Sequence, residues 1–193
     1  MPTALRGTLG EKDWSRQTPF LRWTPWDVLA HLHFFDRVSL LSLTDAEAFA
    51  AERKAVIQAV ATGRSGAEVT REKLGHLGNA ALLETWRTTC HEMAQQLGAS
   101  DPSRRLPWFG PDMGVRMFTT ARYMETWAHG QDVYDLMRVP RTHTDRIRNI
   151  AVALCGSPGS WLNGQVSAAR SRTAARVSFG TSRVAAATSR VAS

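Results

Sequence analysis

Glu125 and His129 stand four residues apart in Tyr123-Met124-Glu125-Thr126-Trp127-Ala128-His129-Gly130, a run that reads as helix. At about 3.6 residues per turn both side chains leave the same face, one turn apart. A carboxylate and an imidazole so placed can clamp a divalent ion once another helix brings a third ligand. Far upstream, Trp26-Asp27-Val28-Leu29-Ala30-His31-Leu32 offers His31 for that role. A His/Glu/His set leaves part of a metal's coordination sphere open, as catalytic sites do. Neutral imidazoles suit zinc and other late divalent metals, and the carboxylate offsets part of the ion's charge. An open position can polarise a carbonyl, activate water or hold a thiol as thiolate.

The other candidates are sorted by phase and setting. His33 lies about 200° around the helix from His31, so only one of the two can point into the same site. The bland alternative for His31 is a buried histidine bonded to a backbone carbonyl. His76 and His91 read as solvated, and His143 as a turn residue near Pro140. Asp132, on nearly the same face as Glu125, is either a partner orienting an imidazole or a solvated charge. Arg122 could neutralise a substrate anion or pair with Glu125, but reads first as a surface pair.

Those residues need helices to position them, and the chain supplies helices punctuated by polar turns. Thr24-Pro25-Trp26-Asp27 is a helix start, with Thr24 as N-cap and Pro25 at the first helical position, opening a helix to about residue 43. Thr44-Asp45-Ala46-Glu47 signals a second, spanning about residues 48–60. Ser65 starts a short one after the Gly63–Gly66 break. Asn79 is expected to cap a helix over residues 80–97 that Gly98 closes. Residues 99–112, with three prolines and a glycine, are expected to lack regular structure, with Trp108 and Phe109 packing over a helix or a pocket mouth. A long helix over about residues 113–137 carries Glu125 and His129, and a shorter one is expected over 144–154. Strand alternation is scarce, so the expected class is all-α, a helical bundle.

At 193 residues the chain holds one ordinary domain with a core. Its net charge of +7 is unevenly spread. Residues 1–146 hold all 17 acidic residues against 18 Lys and Arg, whereas residues 147–193 hold six arginines and no acid or lysine. The basic character belongs to a tail, which argues against a nucleic-acid-binding face. Thr181-Ser182-Arg183-Val184-Ala185 recurs as Thr188-Ser189-Arg190-Val191-Ala192. The Arg/Ala/Ser-rich stretch 155–193 is expected to be a low-complexity, disordered or aberrant terminus beyond a bundle over 1–154. Cys90 and Cys155 match no paired metal motif and read as reduced thiols of a cytoplasmic protein. The start lacks a signal-peptide core, and no apolar run approaches the ~20 residues needed to span a bilayer.

Two blocks carry a resemblance. Trp23-Thr24-Pro25-Trp26-Asp27-Val28-Leu29-Ala30-His31-Leu32 resembles a helix opening of the DinB-like superfamily, specifically the metal-binding N-terminal domain of mycothiol-dependent maleylpyruvate isomerase. Leu106-Pro107-Trp108-Phe109-Gly110-Pro111 and the run from Thr120 to Val133 are similar to an actinobacterial branch of that family. The resemblance covers about residues 13–150. It implies a four-helix bundle holding a divalent metal, usually zinc, with His31, Glu125 and His129 as ligands. It also implies mycothiol or another low-molecular-weight thiol as co-substrate, delivered to an electrophilic small molecule by a transferase or isomerase. The alternative is a non-catalytic metal-binding or interaction bundle with a vestigial site. Family members usually begin with a full amphipathic helix, whereas only Met1 to Lys12 precede Asp13 here, so the first helix is expected to be short. A bundle face exposed in that way would favour a homodimer.

Overall fold

The computed structural model describes residues 9–142 and 144–150. The expected features at residue 143 and over 151–193, including Cys155 and the arginine-rich tail, lie outside the described residues. The chain divides into two units, Met1–Arg141 and Thr142–Ser193. In the second, the described residues hold a 3-10 turn over Asp145–Ile147.

The first unit is all-α, with helices α1 (Pro25–Thr44), α2 (Ala46–Ala61), α3 (Gly66–Leu74), α4 (Asn79–Ala99) and α5 (Val115–Met137). Ahead of α1 the described residues hold only a 3-10 turn, Glu11–Ser15, where a short first helix was expected. Each of the other four helices packs on α1. That explains the composition of α1: Val28, Leu29, Ala30, Leu32, Phe34, Phe35 and Val38 are all buried, around its whole circumference rather than along one stripe.

Local chemistry fixes where the helices start. Thr24 Oγ1 accepts the Asp27 N–H, and Asp27 Oδ2 accepts the Thr24 N–H at 2.9 Å, so the expected cap of α1 is a reciprocal box. Arg71 of α3 then grips Asp27 with Nε and Nη2, both at 2.7 Å. α2 starts at Ala46, two residues before the expected start, and its N-cap is Asp45 rather than Thr44. Asp45 bonds Leu41 O through its N–H as the C-cap of α1, and its Oδ1 accepts from Ala48 as the N-cap of α2. One residue therefore makes the corner, and Thr44 remains in α1 with its hydroxyl on Leu40 O. Asn79 does not cap α4 either. Gly78 is the N-cap, and the Asn79 amide instead reaches Glu11 Oε1 at 2.6 Å. Nor does Gly98 close α4, which runs to Ala99, because a helical glycine costs only about 1 kcal/mol.

The segment expected to lack regular structure contains a small antiparallel ribbon, β1 (Arg105–Leu106) with β2 (Met113–Gly114), in the register Arg105↔Gly114 and Leu106↔Met113. The prolines at 107 and 111 fall between the strands, where no ladder hydrogen bond is required of them. The ribbon delivers the chain into α5 through the Val115 N–H on Arg104 O at 3.0 Å. Trp108 and Phe109 do pack inward, against Phe35, Phe49 and, for Trp108, Phe118, at centroid distances of 4.9–6.3 Å. These rings fasten the loop to α1, α2 and α5, the setting in which α1 and α5 face each other across the site.

Candidate metal centre

His31 sits on α1 one turn beyond Asp27, so the cap and the Asp27–Arg71 pair set its position along the helix. Glu125 and His129 sit one turn apart on α5. The structure brings all three together. Glu125 Oε2 lies 3.4 Å from His31 Nε2 and 3.3 Å from His129 Nε2. One ligand atom from each residue falls within 4.8 Å of the others, a grouping able to hold a metal ion. Both imidazoles are buried and Glu125 is half-buried.

The spacing suits an ion better than hydrogen bonds. A charge-assisted N–H···O bond is about 2.7–2.9 Å long. Two ligands about 2.0–2.1 Å from a tetrahedral zinc lie roughly 3.3–3.4 Å apart. The other imidazole atoms point the same way. His129 Nδ1 lies 3.8 Å from Asp132 Oδ2 on the far side of the ring, and both Nδ1 atoms of the pair are buried without a hydrogen bond. A tautomer with Nδ1–H toward the Asp132 carboxylate turns the Nε2 lone pair onto the Glu125 carboxylate. Two lone pairs facing each other repel unless a cation stands between them.

The electrostatics prepare the same donor set. Burial pushes the His31 imidazole down to about 4, against the opposing pull of Glu125, so it is neutral at pH 7. Burial alone would raise Glu125, but contacts with His129 and His31 outweigh it and hold the carboxyl well below its ordinary range. A neutral imidazole beside an ionised carboxylate is the state a metal requires of its ligands.

Aromatic rings enclose the imidazoles. Trp23 stacks on His129 at 5.6 Å and 13° between planes and lies 5.1 Å from His31. Phe20 meets His129 edge-on at 5.0 Å, and Phe35 stands 4.8 Å from His31. Sequence reasoning missed Phe20 and Trp23 as neighbours of the site. The signal for Trp23 was its place one residue before the N-cap, at the mouth of the helix that carries His31.

Arg122 is neither a surface residue nor a partner of Glu125. Its guanidinium is buried and bonds Asp36 Oδ1 through Nη2 at 2.9 Å and Nε at 3.3 Å. Trp86 Nε1 of α4 donates to the other Asp36 oxygen at 3.0 Å. Asp36 follows His31 by five residues and Arg122 precedes Glu125 by three, so this pair is a second rung between the same antiparallel helices. With its charge met by Asp36, Arg122 is not available to a substrate anion. Asp132 is buried beside His129, which removes the solvated reading. His33 is buried too, because α1 is surrounded, but it stands apart from the cluster. His76 and His91 are exposed as expected. The half-buried Cys90 thiol is pushed up by burial, which suits a packed residue rather than a nucleophile.

Comparison with known proteins adds a family. Residues 3–134 match the mycothiol maleylpyruvate isomerase N-terminal domain. Uncharacterized proteins from two strains of Mycobacterium tuberculosis are each 38% identical over 148 residues, which is 77% of this chain and 56% of the relative. The chain thus spans little more than half the length of those relatives. No solved structure matches it. Among the described residues, no helix is long and apolar enough to cross a membrane.

Proposed function

This chain belongs to the mycothiol maleylpyruvate isomerase N-terminal domain family, and we propose that it binds one divalent metal ion through His31, Glu125 and His129 to activate a low-molecular-weight thiol. Zinc is the ion the two imidazoles and one carboxylate favour. The observation that carries the reading is the convergence of two imidazole nitrogens on one carboxylate oxygen at 3.3 and 3.4 Å, with His31 and Glu125 94 residues apart in sequence.

When bound, such an ion supplies Lewis acidity that lowers the pKa of a thiol or water at its open position. The chain's own residues do the rest. His31 presents a neutral imidazole nitrogen and His129 a second imidazole nitrogen, and Glu125 holds a negative charge that keeps the site from repelling a cation. Phe20, Trp23 and Phe35 exclude water from the imidazoles, so competing hydration of a nucleophile is reduced. Asp132 orients the His129 ring. A thiol that lost its proton to solvent there would add as thiolate to an electrophilic small molecule, whose adduct would take up a proton from solvent, the transferase or isomerase class of chemistry. Mycothiol is the thiol the family points to, and a cytoplasmic location follows from a thiol co-substrate.

Metal analysis of the purified chain, followed by zinc titration against a chromophoric chelator, tests the reading. One zinc per chain is expected, lost in His129→Ala and Glu125→Gln. A well-folded chain that binds no zinc contradicts the metal site. Thiol dependence is tested separately, by conjugation of an electrophile with and without mycothiol. A metal-loaded chain indifferent to the thiol contradicts the activity alone.

A further inference from the structure

Phe20, Leu21, Arg22 and Trp23 form a tight turn closed by the Trp23 N–H on Phe20 O at 2.8 Å. Both central residues have left-handed backbone, with φ of 47° at Leu21 and 58° at Arg22. Positive φ at both central positions is the signature of a type I′ turn, which favours Asn, Asp and Gly. Leucine and arginine are poor residues there, and each disfavours the turn by roughly five- to a hundredfold. Leu21 is also 67% exposed, so its own side chain does little to hold the conformation.

What holds the turn lies on either side of its tip. The Thr18 N–H bonds Trp23 O at 2.7 Å, and Arg22 Nε donates to Gln17 Oε1 at 2.8 Å. The residues flanking the strained pair are the two rings that cover the imidazoles. Phe20 and Trp23 meet edge-on at 5.1 Å, and both rest on His129, with Trp23 also against His31. Closure is thus favoured by aromatic packing over the site and opposed by the backbone that produces it. A turn of Asn-Gly would close without that opposition.

We infer that the Phe20–Trp23 turn is a strap over His31 and His129, and that its strained backbone sets how often it lifts to admit a small molecule to them. The inference deepens the proposed metal site, because the covered groups are two of its three ligands. Opening requires that Trp23 and Phe20 leave the imidazoles and that the Thr18–Trp23 bond give way, with the cap of α1 at Thr24 as the fixed end of the strap.

The test is carbethoxylation of histidines by diethyl pyrocarbonate, followed residue by residue by mass spectrometry on the 193-residue chain after metal removal with a chelator. Exposed His76 and His91 serve as internal references. In Leu21→Gly, which relieves the left-handed strain at Leu21 and keeps the Arg22–Gln17 bond, modification of His31 and His129 should slow by about fivefold relative to His76. In Trp23→Ala both should react about two- to tenfold faster, on the scale of a lost aromatic contact. If Trp23→Ala fails to fold, the Leu21→Gly variant decides alone. Unchanged His31 and His129 rates in that variant overturn the strap, including the case in which it only raises the melting temperature. Zinc titration of the same proteins keeps the two proposals apart. Gated imidazoles that bind no zinc contradict the metal site alone, and zinc bound by ungated imidazoles contradicts the strap alone.

Discussion

Replacing Arg122 with methionine is the perturbation whose cost the structure specifies most fully. The substitution removes both guanidinium bonds to Asp36 Oδ1, at 2.9 and 3.3 Å, while roughly preserving volume. The Asp36 side chain is 0% exposed and that of Arg122 5%, so water cannot replace the lost partner. Breaking a buried pair in this way costs about 3–5 kcal/mol, because one charge is left behind. Trp86 Nε1 still donates to Asp36 Oδ2, which places the expected loss near the lower end, about 3 kcal/mol. Against a total stability of about 5–15 kcal/mol that is a large and measurable fraction. The double variant Asp36→Leu/Arg122→Met removes the stranded charge and leaves only the Trp86 N–H unsatisfied, a cost of about 1–3 kcal/mol. Urea unfolding followed by far-UV circular dichroism should therefore find the double variant more stable than Arg122→Met. The reasoning is refuted if the single variant loses less than about 1 kcal/mol, or if the double loses the sum of the two singles.

Three further outcomes follow from the geometry. Stability should fall as pH drops from about 6.5 toward 4, because burial lowers the folded-state pKa of His31 and the unfolded chain takes up that proton first; the loss reaches up to about 3 kcal/mol, Glu125 adds to it below its ordinary range, and urea midpoints that are flat between pH 7 and 5 would contradict the account. Asp132→Asn removes the charge beside His129 Nδ1 and should weaken zinc binding by about tenfold in chelator competition; unchanged affinity would contradict its role in orienting the ring. Thr24→Ala should cost about 1 kcal/mol in the same unfolding assay, since both halves of the α1 capping box are made there.

The parts of the fold that could be read in the sequence were those set by local chemistry. Thr24-Pro25 and Ser65 cap the helices they were expected to cap, because a hydroxyl and a carboxylate three residues apart satisfy each other without help from the rest of the chain. Asp45 and Gly78 took over the starts of α2 and α4 because adjacent residues could each cap, and tertiary partners such as Glu11 for Asn79 decided between them. Glu125 and His129 share a face by helical periodicity alone, and His31 joins them through a packing of α1 on α5 that only the family resemblance supplied beforehand. His33 and Arg122 show the limit of phase. Phase put His33 on a different face from His31 and Arg122 read as a surface pair, yet α1 is enclosed so that His33 is buried as well, and Asp36 draws Arg122 inward. The left-handed turn at Leu21-Arg22 had no signal at all, since neither residue type favours that backbone.

The measurement that bears most directly on the central claim is anomalous X-ray scattering at the zinc edge from crystals of the 193-residue chain grown with zinc. The account predicts a single strong peak about 2.0–2.1 Å from the Nε2 atoms of His31 and His129 and from a Glu125 oxygen. A zinc peak on other residues, or none at this cluster in crystals that hold zinc elsewhere, would contradict it.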